Sequence, residues 1–222
     1  MKENMKKMWQ EHKLMLVITS CVILLQTVVG VILWDRLPEQ IATHFGLNGQ
    51  PDGYSSRAFT VFGMPLVLLA LHWLFLMLDG KDGKIYSQKL RRVVLLIVPA
   101  VSLLVMVLCY GHALGLGFNV GRVVVPFVGV LLAVSGNYMP KVRRNYTVGI
   151  KVPWTLADEE NWDKTHRFAA PVWVVGGILL AVLGLIGYTG RPTFELLMAI
   201  VFAPIVYSFA LYVRKREKDG VS

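Results

Sequence analysis

NYMPKVRRNYTVGIKVPWTLADEENWDKTHR, residues 137–167, lies between two apolar runs and resembles neither. It holds two prolines, two tyrosines, two tryptophans and ten charged side chains. Ten charges in hydrocarbon carry a prohibitive desolvation cost, so if the flanking runs are membrane spans, this segment lies at a membrane surface. The fold therefore turns on whether the runs are spans.

The composition favours spans. Of 222 residues, 55% are hydrophobic and 17% charged, with a mean hydropathy of +0.55; soluble domains carry nearer a quarter charged residues. Six apolar runs stand out, at 14–34, 58–78, 93–118, 123–135, 168–188 and 194–213. About 20 helical residues cross a hydrocarbon core of about 30 Å. The fourth run is short, and extending it through Tyr138 brings it to marginal length. The sequence predicts an all-α integral membrane protein with six transmembrane helices.

The net charge of +9 points to orientation rather than to direct nucleic-acid binding. Nineteen of the 23 Lys and Arg residues fall in the N-terminus, the 79–92 loop, the 136–167 loop and the tail; Arg36, Arg57, Arg122 and Arg191 fall opposite. By the positive-inside rule both termini are cytoplasmic (N-in/C-in), and so is the 137–167 segment. The first run follows a basic start, but its length and the lack of a small-x-small site before Trp34 predict an uncleaved anchor. Cys21 and Cys109 lie at different depths along their spans, too far apart to pair, and read as core thiols.

The chain divides into residues 1–92, carrying spans 1 and 2 with an outer polar loop at 35–57, and residues 93–222, carrying spans 3–6 with the cytoplasmic loop. A division after span 3 also yields two oppositely oriented halves, each with its long loop between its first two spans and a proline near that loop's start (Pro38, Pro140). That is the topology of a 3+3 inverted repeat. The outer loop, DRLPEQIATHFGLNGQPDGYSSR, carries turn signals at Asn48-Gly49 and Pro51-Asp52-Gly53. Its place where a secreted ligand arrives makes His44, Phe45, Asn48 and Asp52 candidate contacts; a packed lid over the spans is the competing reading.

Within the cytoplasmic loop, PWTLADEENWDKTHR opens like a helix, with Thr155 as cap, Asp158 three residues on, and Glu159 and Glu160 at the positive end. Glu160 and Lys164 share a face, as do Trp162 and His166. The expectation is a short interfacial helix with Trp154 and Trp162 at headgroup depth. Lys141, Arg143 and Arg144 form a basic cluster suited to anionic lipid. A purely structural anchored loop remains the alternative.

These residues resemble the SdpI family of bacterial membrane immunity proteins, on Gly136, Asn137, Tyr138, Pro140, Asn145, Gly149, Ile150, Pro153, Trp154, Thr155, Leu156, Trp162, Thr165, His166 and Arg167. The outer loop resembles a domain of unknown function that often precedes that signature. The pattern departs at Lys151-Val152, where the family often has Arg-Thr. The resemblance implies a multi-pass protein of the bacterial plasma membrane that protects against a secreted, membrane-active peptide toxin, with recruitment of a cytoplasmic repressor. It makes Asn137, Tyr138, Pro140, Arg143, Arg144, Asn145, Trp154, Thr155, Trp162, His166 and Arg167 candidates for partner or lipid binding.

No metal site, cofactor or catalytic constellation is expected. His44 and Asp52 lie on one side of the membrane and Asp163 and His166 on the other, and neither spacing matches a metal pattern. There is no nucleophile–base pair or phosphate loop, so the reading is not an enzyme. Gln26, His72 and His112 lie within spans, where polar groups are functional candidates. Interfacial packing accounts for them, but they keep a small secondary transporter or exporter open as the alternative. Pro99, Pro126 and Pro204 are candidate kink sites.

Overall fold

Long apolar stretches must satisfy every backbone group internally, and the chain does so with helices. A computed structural model describes residues 2–82, 88–218 and 220. In order, these form α1 (Lys2–Ile32), a 3₁₀ turn (Trp34–Arg36), β1 (Gln40–Phe45), β2 (Pro51–Ser56), a π-turn (Phe59–Gly63), α2 (Met64–Asp82) and α3 (Gln88–Ala113). Then follow α4 (Val120–Tyr138), a second 3₁₀ turn (Met139–Lys141), α5 (Pro153–Ala157), α6 (Glu159–Leu185) and α7 (Arg191–Lys218). The chain forms two compact units, one ending at Val120 and one beginning at Gly121. The sequence reading set its boundary at 92/93; here α3 packs with α1 and α2.

Five helices among the described residues are long and apolar enough to cross a membrane: His12–Ile32, Leu90–Ala113, Val120–Lys141, Glu159–Leu185 and Arg191–Lys218. The expected second span is shorter by this measure. Its apolar helical part runs Phe59–Leu74, which at about 1.5 Å per residue spans about 24 Å of a core of about 30 Å. Residues 83–87 of the expected 79–92 loop, Lys84 among them, lie outside the described residues. Large apolar side chains such as Val28, Leu71, Val107, Val130 and Val206 are exposed, as a lipid-facing surface requires.

The first unit is not purely helical. Its polar loop folds into an antiparallel hairpin, with Gln40 opposite Ser56, Ala42 opposite Tyr54 and Phe45 opposite Pro51. β-Branched and aromatic residues supply the pairing, and Gly49, at φ +75°, supplies the turn. Arg57 ties down the hairpin base: Nη1 donates to the carbonyls of Trp34 (2.9 Å) and Leu37 (3.0 Å), and its guanidinium lies 4.5 Å from the Trp34 ring centroid. Below the hairpin, Leu37, Ile41, Val61, Met106, Cys109 and Tyr110 form the core. Only one cysteine is a core thiol: Cys109 is buried, whereas Cys21 is exposed on α1, because helical periodicity turns it away from the buried Leu16 and Ile23.

The polar candidates Gln26 and His72 within the helices are hydrogen-bonded. Thr19 Oγ1 lies 3.0 Å from His72 Nε2, Ser102 Oγ donates to Gln26 Oε1 at 2.7 Å, and Tyr110 OH donates to the Gln26 carbonyl at 3.3 Å. His112 meets Phe45 edge to face at 5.4 Å.

In the second unit, α4 and α6 touch backbone to backbone. A Cβ built on Gly129 lies 2.5 Å from the Gly177 carbonyl oxygen and 2.6 Å from the Ala181 nitrogen, the close approach that small residues permit between membrane helices. Pro99, Pro126, Pro171 and Pro204 all lie inside helices.

Candidate functional site

The 137–167 segment folds into a buried knot built on the first turns of α6. The acidic residues do not form a separate interfacial helix. α5 ends at Ala157, Asp158 after it is extended (φ −131°, ψ 115°), and α6 then runs unbroken from Glu159 to Leu185. No helix-stopping residue separates Glu159 from the apolar run, so the acidic turn is the first turn of the spanning helix. Its cap is Asp158, not Thr155: Asp158 Oδ1 accepts from the Glu160 N–H at 3.0 Å. Partial burial alone raises the Asp158 carboxyl pKa, but the Lys215 hydrogen bond, the Glu160 and Asn161 backbone N–H groups and the Lys215 charge outweigh it and hold it below the ordinary value. Lys215 Nζ lies 3.0 Å from Oδ2.

Trp162 is fully buried and His166 nearly so, with their rings stacked at 4.0 Å. They form the centre of the knot rather than an outward face. Trp162 Nε1 donates to the Val142 carbonyl at 2.8 Å. The Ile150 N–H donates to His166 Nε2 at 3.1 Å, and His166 Nδ1 lies 2.8 Å from the Trp162 carbonyl. Nε2 therefore carries the lone pair and Nδ1 the hydrogen, the neutral imidazole. Gly149 crosses this ring pair at φ +121°, and a Cβ there lies 2.6 Å from His166 Nε2 and 2.9 Å from the Trp162 ring. Only glycine meets both demands.

Asn145 staples the preceding turn. Its Nδ2 donates to the carbonyls of Arg143 (2.7 Å) and Val148 (2.9 Å), and its Oδ1 accepts from the N–H groups of Thr147 (2.7 Å) and Val148 (2.7 Å). Thr155, buried, donates to the Ile150 carbonyl at 2.8 Å and accepts from the Val152 N–H at 3.1 Å. Lys151 Nζ caps the Tyr146 (3.2 Å) and Thr147 (3.0 Å) carbonyls. The segment is strapped to α7: Trp154 Nε1 donates to Ser208 Oγ at 2.8 Å and its ring packs on Phe209 and Tyr212, while Asn161 Nδ2 donates to the Ser208 carbonyl at 2.9 Å.

The remaining candidates lie at the rim. Asn137, Pro140, Arg143, Arg144 and Arg167 are exposed and Tyr138 is half-buried under Lys141, 5.1 Å from its ring. Arg144 Nη1 donates to the Leu156 carbonyl at 3.0 Å. In the hairpin, His44 Nδ1 and Asp52 Oδ1 pair across the strands at 2.5 Å, both exposed. Asn48 Oδ1 accepts from the Gln50 N–H at 3.0 Å, closing the turn. Among the described residues no group of three His, Cys, Asp or Glu stands close enough to hold a metal.

Both regions fall where comparison with known proteins finds similarity. The SdpI/YfhL protein family model matches residues 141–211, which take in most of the knot and the strap residues Ser208 and Phe209 on α7. A domain of unknown function, DUF1648, matches residues 21–69, which include the hairpin. Immunity protein SdpI of Bacillus subtilis (strain 168) is 30% identical over 210 residues, covering 92% of this chain and 97% of that protein. The chain belongs to the SdpI/YfhL family. It is a multi-pass protein of the bacterial plasma membrane. No solved structure matches it significantly.

Sequence reasoning named most of the knot but missed its far side. Ser208, Phe209, Tyr212 and Lys215 lie roughly fifty residues along the chain, in a helix whose sequence reads only as a span. Asn161 had a usable signal, since it precedes Trp162 and stands four residues before Thr165, whose hydroxyl donates to it at 3.0 Å.

Proposed function

We propose that this chain is an immunity protein that protects the cell carrying it against a secreted, membrane-active peptide. The observation that carries the reading is the similarity to an immunity protein over 210 residues, through the hairpin and the knot alike. In this reading α2 completes six spans, both termini are cytoplasmic, and the hairpin faces outward. His44, Phe45 and Asp52 then contact the arriving peptide, with Asn48 holding the turn. The knot faces the cytoplasm, where Arg143, Arg144 and Arg167 meet anionic lipid or a docking partner such as a repressor.

Deleting the gene and challenging cells with membrane-active peptides tests the function: selective sensitisation supports it, and unchanged survival overturns it. A reporter after Ser222 is expected to be active only in the cytoplasm and one near Asn48 only outside. Arg143→Ala with Arg144→Ala is expected to reduce partner recruitment while membrane insertion persists; lost survival with recruitment unchanged would sink the signalling role.

One observation favours a second reading as a small transporter. Three polar residues seven apart on α1 (His12, Thr19 and Gln26) are buried, and the latter two pair with His72 and Ser102. Proton-coupled flux in reconstituted vesicles, with no change in peptide sensitivity, separates this reading from immunity.

A further inference from the structure

The inference goes beyond the immunity reading and does not depend on it. A cavity of about 400 Å³ opens between the start of α6 and the end of α7, lined among others by Asp158, Glu160, Lys164, Arg214, Lys215 and Lys218. The two carboxylates are already balanced. Asp158 takes Lys215 at 3.0 Å, and Glu160 takes Lys164 at 2.6 Å. Arg214 and Lys218 make no ion pair or hydrogen bond among the described residues, so the cavity holds two uncompensated cations. They stand one turn apart on α7, immediately after the apolar run that ends at Val213. That is the depth at which hydrocarbon gives way to headgroups.

We propose that this cavity binds a phosphate group, with Arg214 as a bidentate donor and Lys218 as a point charge. The volume accommodates a phosphodiester with a short polar headgroup. The paired carboxylates at the opposite wall can accept hydrogen bonds from headgroup hydroxyls. The phosphate comes either from an anionic phospholipid, phosphatidylglycerol being the probe, or from free inorganic phosphate. This site is separate from the 141–144 basic cluster, which does not line the cavity.

The test uses the purified full-length protein in nanodiscs of phosphatidylglycerol mixed with phosphatidylcholine, reading retained lipid by native mass spectrometry. A lipid site predicts preferential retention of phosphatidylglycerol, and Arg214→Ala with Lys218→Ala reduces that retention by about tenfold or more. Arg216→Ala removes a charge from the same turn but outside the cavity lining, so it leaves retention essentially unchanged. Arg214→Lys, which keeps the charge, retains part of the binding even if the double variant folds poorly. A free-phosphate site shows instead as a rise in melting temperature with millimolar inorganic phosphate, absent in the double variant. Equal losses for Arg216→Ala and Arg214→Ala would show diffuse surface charge and overturn the proposal, as would neither lipid preference nor a phosphate-dependent shift.

Discussion

Replacing Gly149 by alanine tests the knot with a single methyl group. The backbone there sits at φ +121°, which an L-residue adopts only with strain of about 1–3 kcal/mol. The new Cβ also lies 2.6 Å from His166 Nε2 and 2.9 Å from the Trp162 ring, neither at the end of a flexible chain. Moving His166 breaks the Ile150 N–H bond and leaves a buried donor unmatched, for about 1–3 kcal/mol more. The expected loss is therefore about 2–6 kcal/mol, or a fall of roughly 4–24 °C in melting temperature at this chain length. Thermal unfolding of the purified protein in detergent, followed by intrinsic tryptophan fluorescence, reads it directly. Gly49→Asn is the control. Its φ is also positive, but nothing lies within 4 Å of a Cβ there and asparagine tolerates that conformation, so it melts close to wild type. If Gly149→Ala also melts within about a degree of wild type, the knot is not packed as described and the reasoning fails.

Three further outcomes are expected. Trp162→Phe leaves the Val142 carbonyl without its donor and costs about 1–3 kcal/mol, while Trp162→Ala adds a cavity and costs about 3–5 kcal/mol; equal melting temperatures for the two would contradict the hydrogen bond. Asp158, whose folded pKa is lowered, contributes stability that is fully present above the unfolded value of about 3.9 and is lost as pH falls through the folded value. The gap in melting temperature between wild type and Asp158→Ala should therefore shrink between neutral pH and about pH 3, and a constant gap would remove charge from the explanation. Gly129→Ala pushes α4 away from the Gly177 backbone at a cost of about 1–3 kcal/mol, read as easier denaturation by sodium dodecyl sulfate; an unchanged midpoint counts against that helix crossing.

The sequence by itself determined that this is a helical membrane protein, because about twenty consecutive apolar residues have no other means of satisfying their backbone than a helix in lipid. It also marked 137–167 as a surface segment, since ten charges cannot enter hydrocarbon, and the spacing of its Asn, Gly, Trp and His residues carried the family resemblance. The direction of those side chains was not legible. Trp162 and His166 read as an exposed amphipathic face because four-residue spacing says only that two side chains lie together, not what covers them. Tertiary structure decided that: the loop folds back over α6, so Val142, Gly149 and Ile150 close on the ring pair, and Ser208 arrives from α7. In the same way the sequence showed the turn at Asn48-Gly49, but Pro51-Asp52-Gly53, which also read as a turn, opens strand β2, because pairing with β1 (Ile41 opposite Ser55) decides its conformation. Local preference sets where a helix or turn forms. Which polar atoms end up buried depends on which distant atoms arrive to satisfy them, and that choice exists only once the chain has folded.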